Sequence, residues 1–185
     1  MQGILLAAGR GSRFGAGNKL LHPLPDGTPM ALAAARNLIA ALPDSLAVVN
    51  GESRELATLL EQAGLRVSVC PHAAEGMGAS LAWGVAQSET ADGWLIALAD
   101  MPWIARATIQ TVAGAVTGAR MIAAPIYQGR RGHPVAFARD YGPELRRLTG
   151  DAGARLLLEA HAEDVTLLPS EDAGVLRDID VRERA

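Results

Sequence analysis

Cysteine is almost absent from this chain of 185 residues: Cys70 stands alone, so no internal disulfide can form. It ends the apolar run LRVSVC and reads as a small core residue rather than a reactive thiol. Aromatic residues make up only 4%, which leaves few platforms for stacking single-stranded nucleic acid. There is no excess of positive charge either. The formal net charge is −3, which argues against a general attraction to nucleic acid or to an anionic membrane, so any anion must be held by local cationic clusters. No apolar run approaches the roughly 20 residues that span a bilayer. The N-terminal MQGILLAAG lacks a basic leader region and a cleavage site, so the expected location is cytoplasmic. Linkers, internal repeats and low-complexity segments are missing as well.

What is present is an apolar fraction of 49% in a length that suits one domain with a proper core. Short apolar runs alternate with helical patterns from the start. Strands are expected over 3–8, 45–50, 65–70 and 93–100, with helices over 30–42, 53–64, 78–88 and 105–116 between and after them. Ser53 and Gly64 are the expected caps of the second helix. Two strands, 120–127 and 133–138, flank the turn QGRRG at hairpin spacing; helical stretches follow at 141–148 and 151–162, then a last strand over 164–169. This alternation predicts an α/β fold, a Rossmann-like three-layer αβα arrangement around a mostly parallel but mixed sheet. Ligands of such sheets lie beyond the carboxyl ends of the strands, which here carry AAGRGSR, VNGES, CPHAAEG and LADMP.

The first of these ends is the most informative. In LLAAGRGSRFGAGNKLL, Gly9, Gly11 and Gly15 allow close backbone approach, and their N–H groups can form an anion-binding nest. Arg10, Arg13 and Lys19 add charge with no acid among them. The pattern is not a Walker loop, because Lys19 sits between Asn18 and Leu20. It is not a dinucleotide fingerprint, because the third glycine comes one residue late. A polyphosphate site is the expectation. Asp100, at the end of LIALADMP, is then a candidate ligand for one Mg²⁺ that also takes phosphate oxygens; read alone, it would be a turn residue before Pro102.

LAAGRGSRFGAGNKLL resembles the signature of nucleotidyltransferases with the nucleotide-diphospho-sugar transferase fold. That resemblance implies a single nucleotidyltransferase domain over 1–185 in which Leu6, Ala7 and Ala8 meet the base. Gly9, Gly11, Ser12 and Arg13 would hold the triphosphate, and Lys19 would reach the α-phosphate. Arg13, Lys19 and Asp100 are then the catalytic candidates. The late segment RDID offers Asp180 as a second metal ligand beside Asp100, although the continuation VRERA departs from the usual pattern.

EGMGASLAWGV places Gly78 and Ser80 at a helix N-terminus suited to a nucleotide edge; the plain alternative is a capped helix with Met77 and Trp83 in the core. Asn50 follows the second strand and suits either base. GRRGHPVAF and LTGDAGAR offer Arg130, Arg131, His133 and Asp151 to an acceptor, with simple helix capping as the alternative for Asp151. In this order, GMGASL, DMP, GHPV and GDAGAR resemble the molybdenum-cofactor nucleotidyltransferases from Gly3 to Asp180, and the cytidylyl branch best, since Ala8 and Asn18 depart from the guanylyl pattern. The resemblance implies CTP, with GTP as the alternative, molybdopterin or molybdenum cofactor as acceptor, Mg²⁺ as metal, and the molybdoenzyme that takes the product as a partner. Another transferase of the same fold and a non-catalytic nucleotide sensor remain as alternatives.

Overall fold

The computed structural model describes residues 1–9 and 18–179. Eight strands form one mixed sheet: β1 (Gln2–Ala7), β2 (Leu46–Val49), β3 (Arg66–Val69), β4 (Gly93–Leu98), β5 (Ile122–Tyr127), β6 (Arg130–Arg131), β7 (Val135–Ala138) and β8 (Val165–Pro169). The order begins β3-β2-β1-β4, all parallel. Then β7 enters antiparallel to both β4 and β5, β8 joins β5 in parallel, and β6 closes a short hairpin on β5.

Successive residues of the central strands face opposite layers. Leu5, Ala7, Ala47, Val49, Leu95 and Ala97 pack under α1 (Met30–Ala41), α2 (Arg54–Gln62) and α4 (Arg106–Ala115). Ile4, Leu6, Ala8, Val48 and Ile96 pack under α3 (Met77–Ala86), α5 (Gly142–Leu145) and α6 (Arg155–Ala160). With both faces covered, the strands need unbroken apolar runs, which is the pattern the sequence shows. The three-layer α/β expectation therefore holds. Cys70 is buried as expected, and burial pushes its thiol pKa up. Ser53 caps α2 by accepting from the Leu56 N–H, and Gly64 terminates it at φ +101°.

The structure departs from expectation in the late part. The two strands expected to flank QGRRG do pair antiparallel, as β5 and β7, but the connection between them carries an additional two-residue strand, β6, which folds back on β5 through Gln128 and Gly129, both at positive φ. The Gly132 N–H still donates to Pro125 O on β5, whereas the His133 N–H turns away from the sheet to Val175 O. The expected helix over 151–162 shortens to Arg155–Ala160, since Gly150 and Gly153 adopt left-handed φ and hold 150–153 as a turn. The expected helix over 141–148 shortens to Gly142–Leu145, preceded by one tight turn at Arg139–Tyr141. Among the described residues, no helix is long and apolar enough to cross a membrane.

Candidate active site

The carboxyl ends of β1 and β4 are adjacent because the two strands pair directly, Leu6 opposite Leu98. That pairing brings the residues after β1 and the Asp100 turn together. Lys19 Nζ lies 3.2 Å from Asp100 Oδ2, with the lysine side chain 14% exposed and the carboxylate 31%. Asn18 fixes the turn that presents the lysine: its side-chain oxygen accepts from the Leu20 N–H at 3.0 Å. The arrangement sets a cationic head and a hard carboxylate oxygen side by side at the mouth of a cleft.

The cleft has a volume of about 440 Å³. Leu6, Ala8 and Leu98 line it from the strands, Ala73, Ala74 and Gly76 from the segment after β3, and Met77 and Ser80 from α3. Asn50 lies just beneath. Its side-chain N–H donates to Ala8 O at 3.0 Å, and its oxygen accepts from the Glu52 N–H at 3.1 Å. The side chain thus ties the end of β1 to the end of β2 and supports the cleft floor from behind. Ser80 is buried at the cleft wall and donates to Gly76 O.

Gly78 does not line the cleft. Its N–H donates to Gly150 O at 2.7 Å, and a Cβ on it would stand 2.5 Å from Thr149 O. Its place is a close contact that clamps α3 against residues 149–151. That clamp carries Asp151 into the cleft, so Asp151 is not a helix cap; the first turn of α6 has no side-chain cap. Met77, one reading of which was a core residue, is 45% exposed and lines the cleft.

A second compartment of about 230 Å³ opens beside the first and shares Leu6, Met77 and Leu98 with it. Its walls are otherwise apolar, with Leu81, Ile96, Val135, Phe137 and Leu158 among them. Arg131, His133 and Arg155 are its polar lining. His133 Nδ1 is buried without a hydrogen-bond partner among the described residues. Burial, reinforced by Arg131, holds the imidazole pKa below its ordinary value against the opposing pull of Asp100 and Asp178. The ring is therefore neutral near pH 7 and carries one donor and one acceptor nitrogen. A buried ring nitrogen without a partner, on a residue that lines a mostly apolar compartment, calls for an explanation, and a ligand group is one.

Lys19, Asp100, Ala8, Gly9, Ser80 and Asp151 thus meet in one cleft, with Arg131 and His133 in the compartment beside it. Leu6 borders both, while Ala7 points to the opposite layer, into the core under α1. Gly11, Ser12, Arg13 and Asp180 lie outside the described residues. His161, Glu163 and Asp164 also converge, away from the cleft, but the Arg120 guanidinium already pairs with Asp164 at 3.2 Å. Sequence reasoning missed Ala73, Ala74 and Met77 as lining residues, while Gly76, in the glycine-rich start of α3, does line the cleft. The Gly76-Met77-Gly78 spacing was the available signal.

Residues 3–165 match the MobA-like NTP transferase domain. The chain belongs to this family. At 30% identity it aligns over 98% of its own length with 92% of the purine catabolism protein PucB of Bacillus subtilis. At 29% identity it aligns over the same share with 93% of the nicotine blue oxidoreductase of Paenarthrobacter nicotinovorans. The crystal structure of Rv0371c from Mycobacterium tuberculosis superposes with a TM-score of 0.80 at 31% identity, covering 97% of this chain and 91% of that one. A second structure of that mycobacterial protein is a complex with manganese. The architecture is that of the nucleotide-diphospho-sugar transferase fold.

Proposed function

We propose that this NTP transferase domain moves CMP from CTP to the terminal phosphate of molybdopterin or molybdenum cofactor, releasing pyrophosphate. The carrying observation is the pairing of Lys19 with Asp100 at the mouth of a cleft whose neighbouring compartment holds an unsatisfied neutral His133. Two joined compartments suit two substrates that must meet. The choice of CTP rests on the resemblance to the cytidylyl branch, in which Ala8 and Asn18 depart from the guanylyl pattern; Ala8, Ala73 and Ala74 line the first compartment.

The acceptor phosphate is largely dianionic at neutral pH, with a second pKa near about 6, so it needs no general base. One of its oxygens attacks the α-phosphorus, the bond from that phosphorus to the bridging oxygen breaks, and pyrophosphate leaves with the electron pair. Positioning and charge neutralisation carry such a reaction. Lys19 meets the charge on the α-phosphate and the leaving group, and Arg13 and the backbone N–H groups of the glycine loop hold the triphosphate. Arg131 and His133 orient the acceptor, with Asp151 in the first compartment beside them.

Asp100 fits a divalent ion: it presents a hard, part-exposed oxygen at the cleft, and Mg²⁺ takes one or two carboxylates together with substrate phosphates. Asp180 completes the proposed ligand set. The ion, when bound, supplies charge neutralisation on the triphosphate. The manganese complex of the mycobacterial relative supports such an ion.

A hydride-transfer reading, suggested by the name of the Paenarthrobacter relative, has less support here, because the glycine spacing after β1 departs from a dinucleotide fingerprint. The test is pyrophosphate release with Mg²⁺, molybdopterin and either CTP or GTP. CTP- and pterin-dependent release is expected. Preference for GTP overturns the base assignment, and release without pterin overturns the acceptor. In the same assay His133→Phe fills the slot but removes both ring nitrogens. It is expected to raise the acceptor KM about tenfold, the effect of roughly one lost buried hydrogen bond, and to leave the CTP KM unchanged.

A further inference from the structure

After β8 the chain turns back across the site. Ser170 N–H donates to Ile126 O, and residues 172–179 then touch both loops of the site in succession. Asp172 is the anchor. Its Oδ2 accepts from the Ala105 N–H at 2.8 Å and from Thr108 Oγ1 at 2.7 Å, at the start of α4, and its Oδ1 accepts from the Gly174 N–H at 2.9 Å. Gly174 packs so closely on the Asp100 turn that a Cβ would stand 2.3 Å from Trp103 O. Val175 is fully buried in the core and accepts from the His133 N–H at 2.9 Å, while Gly132 leaves no room for a Cβ against Val175 O. The Arg177 guanidinium lies 4.1 Å over the Trp103 ring, and the Ile179 N–H donates to Asp100 O at 3.1 Å.

We propose that residues 172–179 form a strap that fixes the metal-loop residue Asp100 and the acceptor-loop residue His133 relative to one another, with Asp172 as its positioning residue. Neither compartment is lined by Asp172, so it acts only through the groups it holds. A charged acceptor taking three donors at once, two of them at a helix start, is a strong anchor. The strap is the one described segment that hydrogen-bonds both to the backbone of Asp100 and to that of His133. A transfer reaction between two substrates held by different loops is sensitive to such a tie, since a misplacement of about 1 Å lowers rates about a hundredfold. A segment that merely covered apolar surface would support the melting temperature and nothing else.

The proposal rests on the reading that Asp100 holds a divalent ion with the nucleotide, so the test separates the two. Mn²⁺ binding in the presence of CTP is measured by electron paramagnetic resonance on the full chain, beside the melting temperature. Wild type and the Asp172→Ala and Arg177→Ala variants are compared. Asp172→Ala is expected to weaken Mn²⁺ binding about tenfold and to lower kcat by about ten- to a hundredfold with the CTP KM within about twofold. Arg177→Ala removes only an exposed stack, folds normally, and is expected to show a weaker effect of the same sign, about threefold. A lower melting temperature with unchanged Mn²⁺ affinity and kcat in Asp172→Ala overturns the strap; if that variant does not fold, unchanged affinity in Arg177→Ala overturns it. Failure of wild type itself to bind Mn²⁺ with CTP overturns the metal reading and the strap with it.

Discussion

Replacing Asp100 with alanine is expected to lower kcat/KM for pyrophosphate release by about a thousandfold, the scale of removing a preorganised electrostatic contact from a transfer site. The reasoning starts from the strand end. β4 delivers Asp100 to the cleft mouth, 3.2 Å from Lys19 and beside the end of β1. The backbone carbonyl, not the side chain, accepts from Ile179, so the turn keeps its shape in the variant. The lost pair is part-exposed and contributes at most about 1 kcal/mol, so the melting temperature stays nearly unchanged. The discriminating measurement is CTP affinity with and without metal. With Mg²⁺, the variant is expected to bind CTP more weakly than wild type. In EDTA, it is expected to bind at least as tightly, because a carboxylate facing a triphosphate repels it when no cation stands between them. Equal weakening in both conditions would make Asp100 a structural residue and remove the metal from the site.

How much of this arrangement the sequence discloses depends on how local each feature is. β1 and β4 are legible because strands buried on both faces need unbroken apolar runs, and GILLAA and GWLIAL supply them. Asp100 follows from the rule that ligands gather at carboxyl strand ends, and Lys19 from the company of glycines before it. The antiparallel pairing of the strands that flank QGRRG is legible from their hairpin spacing, but the pairing of β7 with β4 along its other edge is not, since nothing local marks which strand lies beyond a hairpin. Met77 reads as core because it is apolar and sits at a helix start, yet the cleft it borders is assembled from segments as distant as Leu6 and Asp151, more than 70 positions away on either side. Asp151 reads as a cap for the complementary reason: its spacing from α6 is right, but the left-handed turns at Gly150 and Gly153 take it out of capping range. His133 is legible as a polar residue near two arginines. Its missing partner is a property of burial and appears only when β7, α6 and the strap are assembled around it.

The Gly78→Ala variant is expected to destabilise the fold by about 2–3 kcal/mol, at the upper end for overpacking a close contact. Its Cβ would meet Thr149 O at 2.5 Å, Thr149 C at 2.8 Å and Thr149 N at 2.9 Å, all backbone atoms that no rotamer change can move. The Gly78 N–H also donates to Gly150 O at 2.7 Å, so α3 and the 149–151 turn are held at hydrogen-bonding distance on one side and steric contact on the other. The added methyl forces them apart. In a chain of this length that change lowers the melting temperature by about 4–12 °C. It also has a functional consequence, since Met77 and Asp151 stand on the two parts being separated and both line the cleft. The CTP KM is therefore expected to rise in the same variant. Gly114→Ala is the matched control. That glycine lies inside α4 with open space where its Cβ would be, so alanine there is expected to stabilise the protein by about 0.5–1 kcal/mol through helix propensity. Opposite shifts in the two variants, read by thermal denaturation, would locate the effect in the close approach of α3 to Thr149. A neutral Gly78→Ala beside a stabilising Gly114→Ala would mean that the clamp is loose and that Asp151 reaches the cleft by some other support.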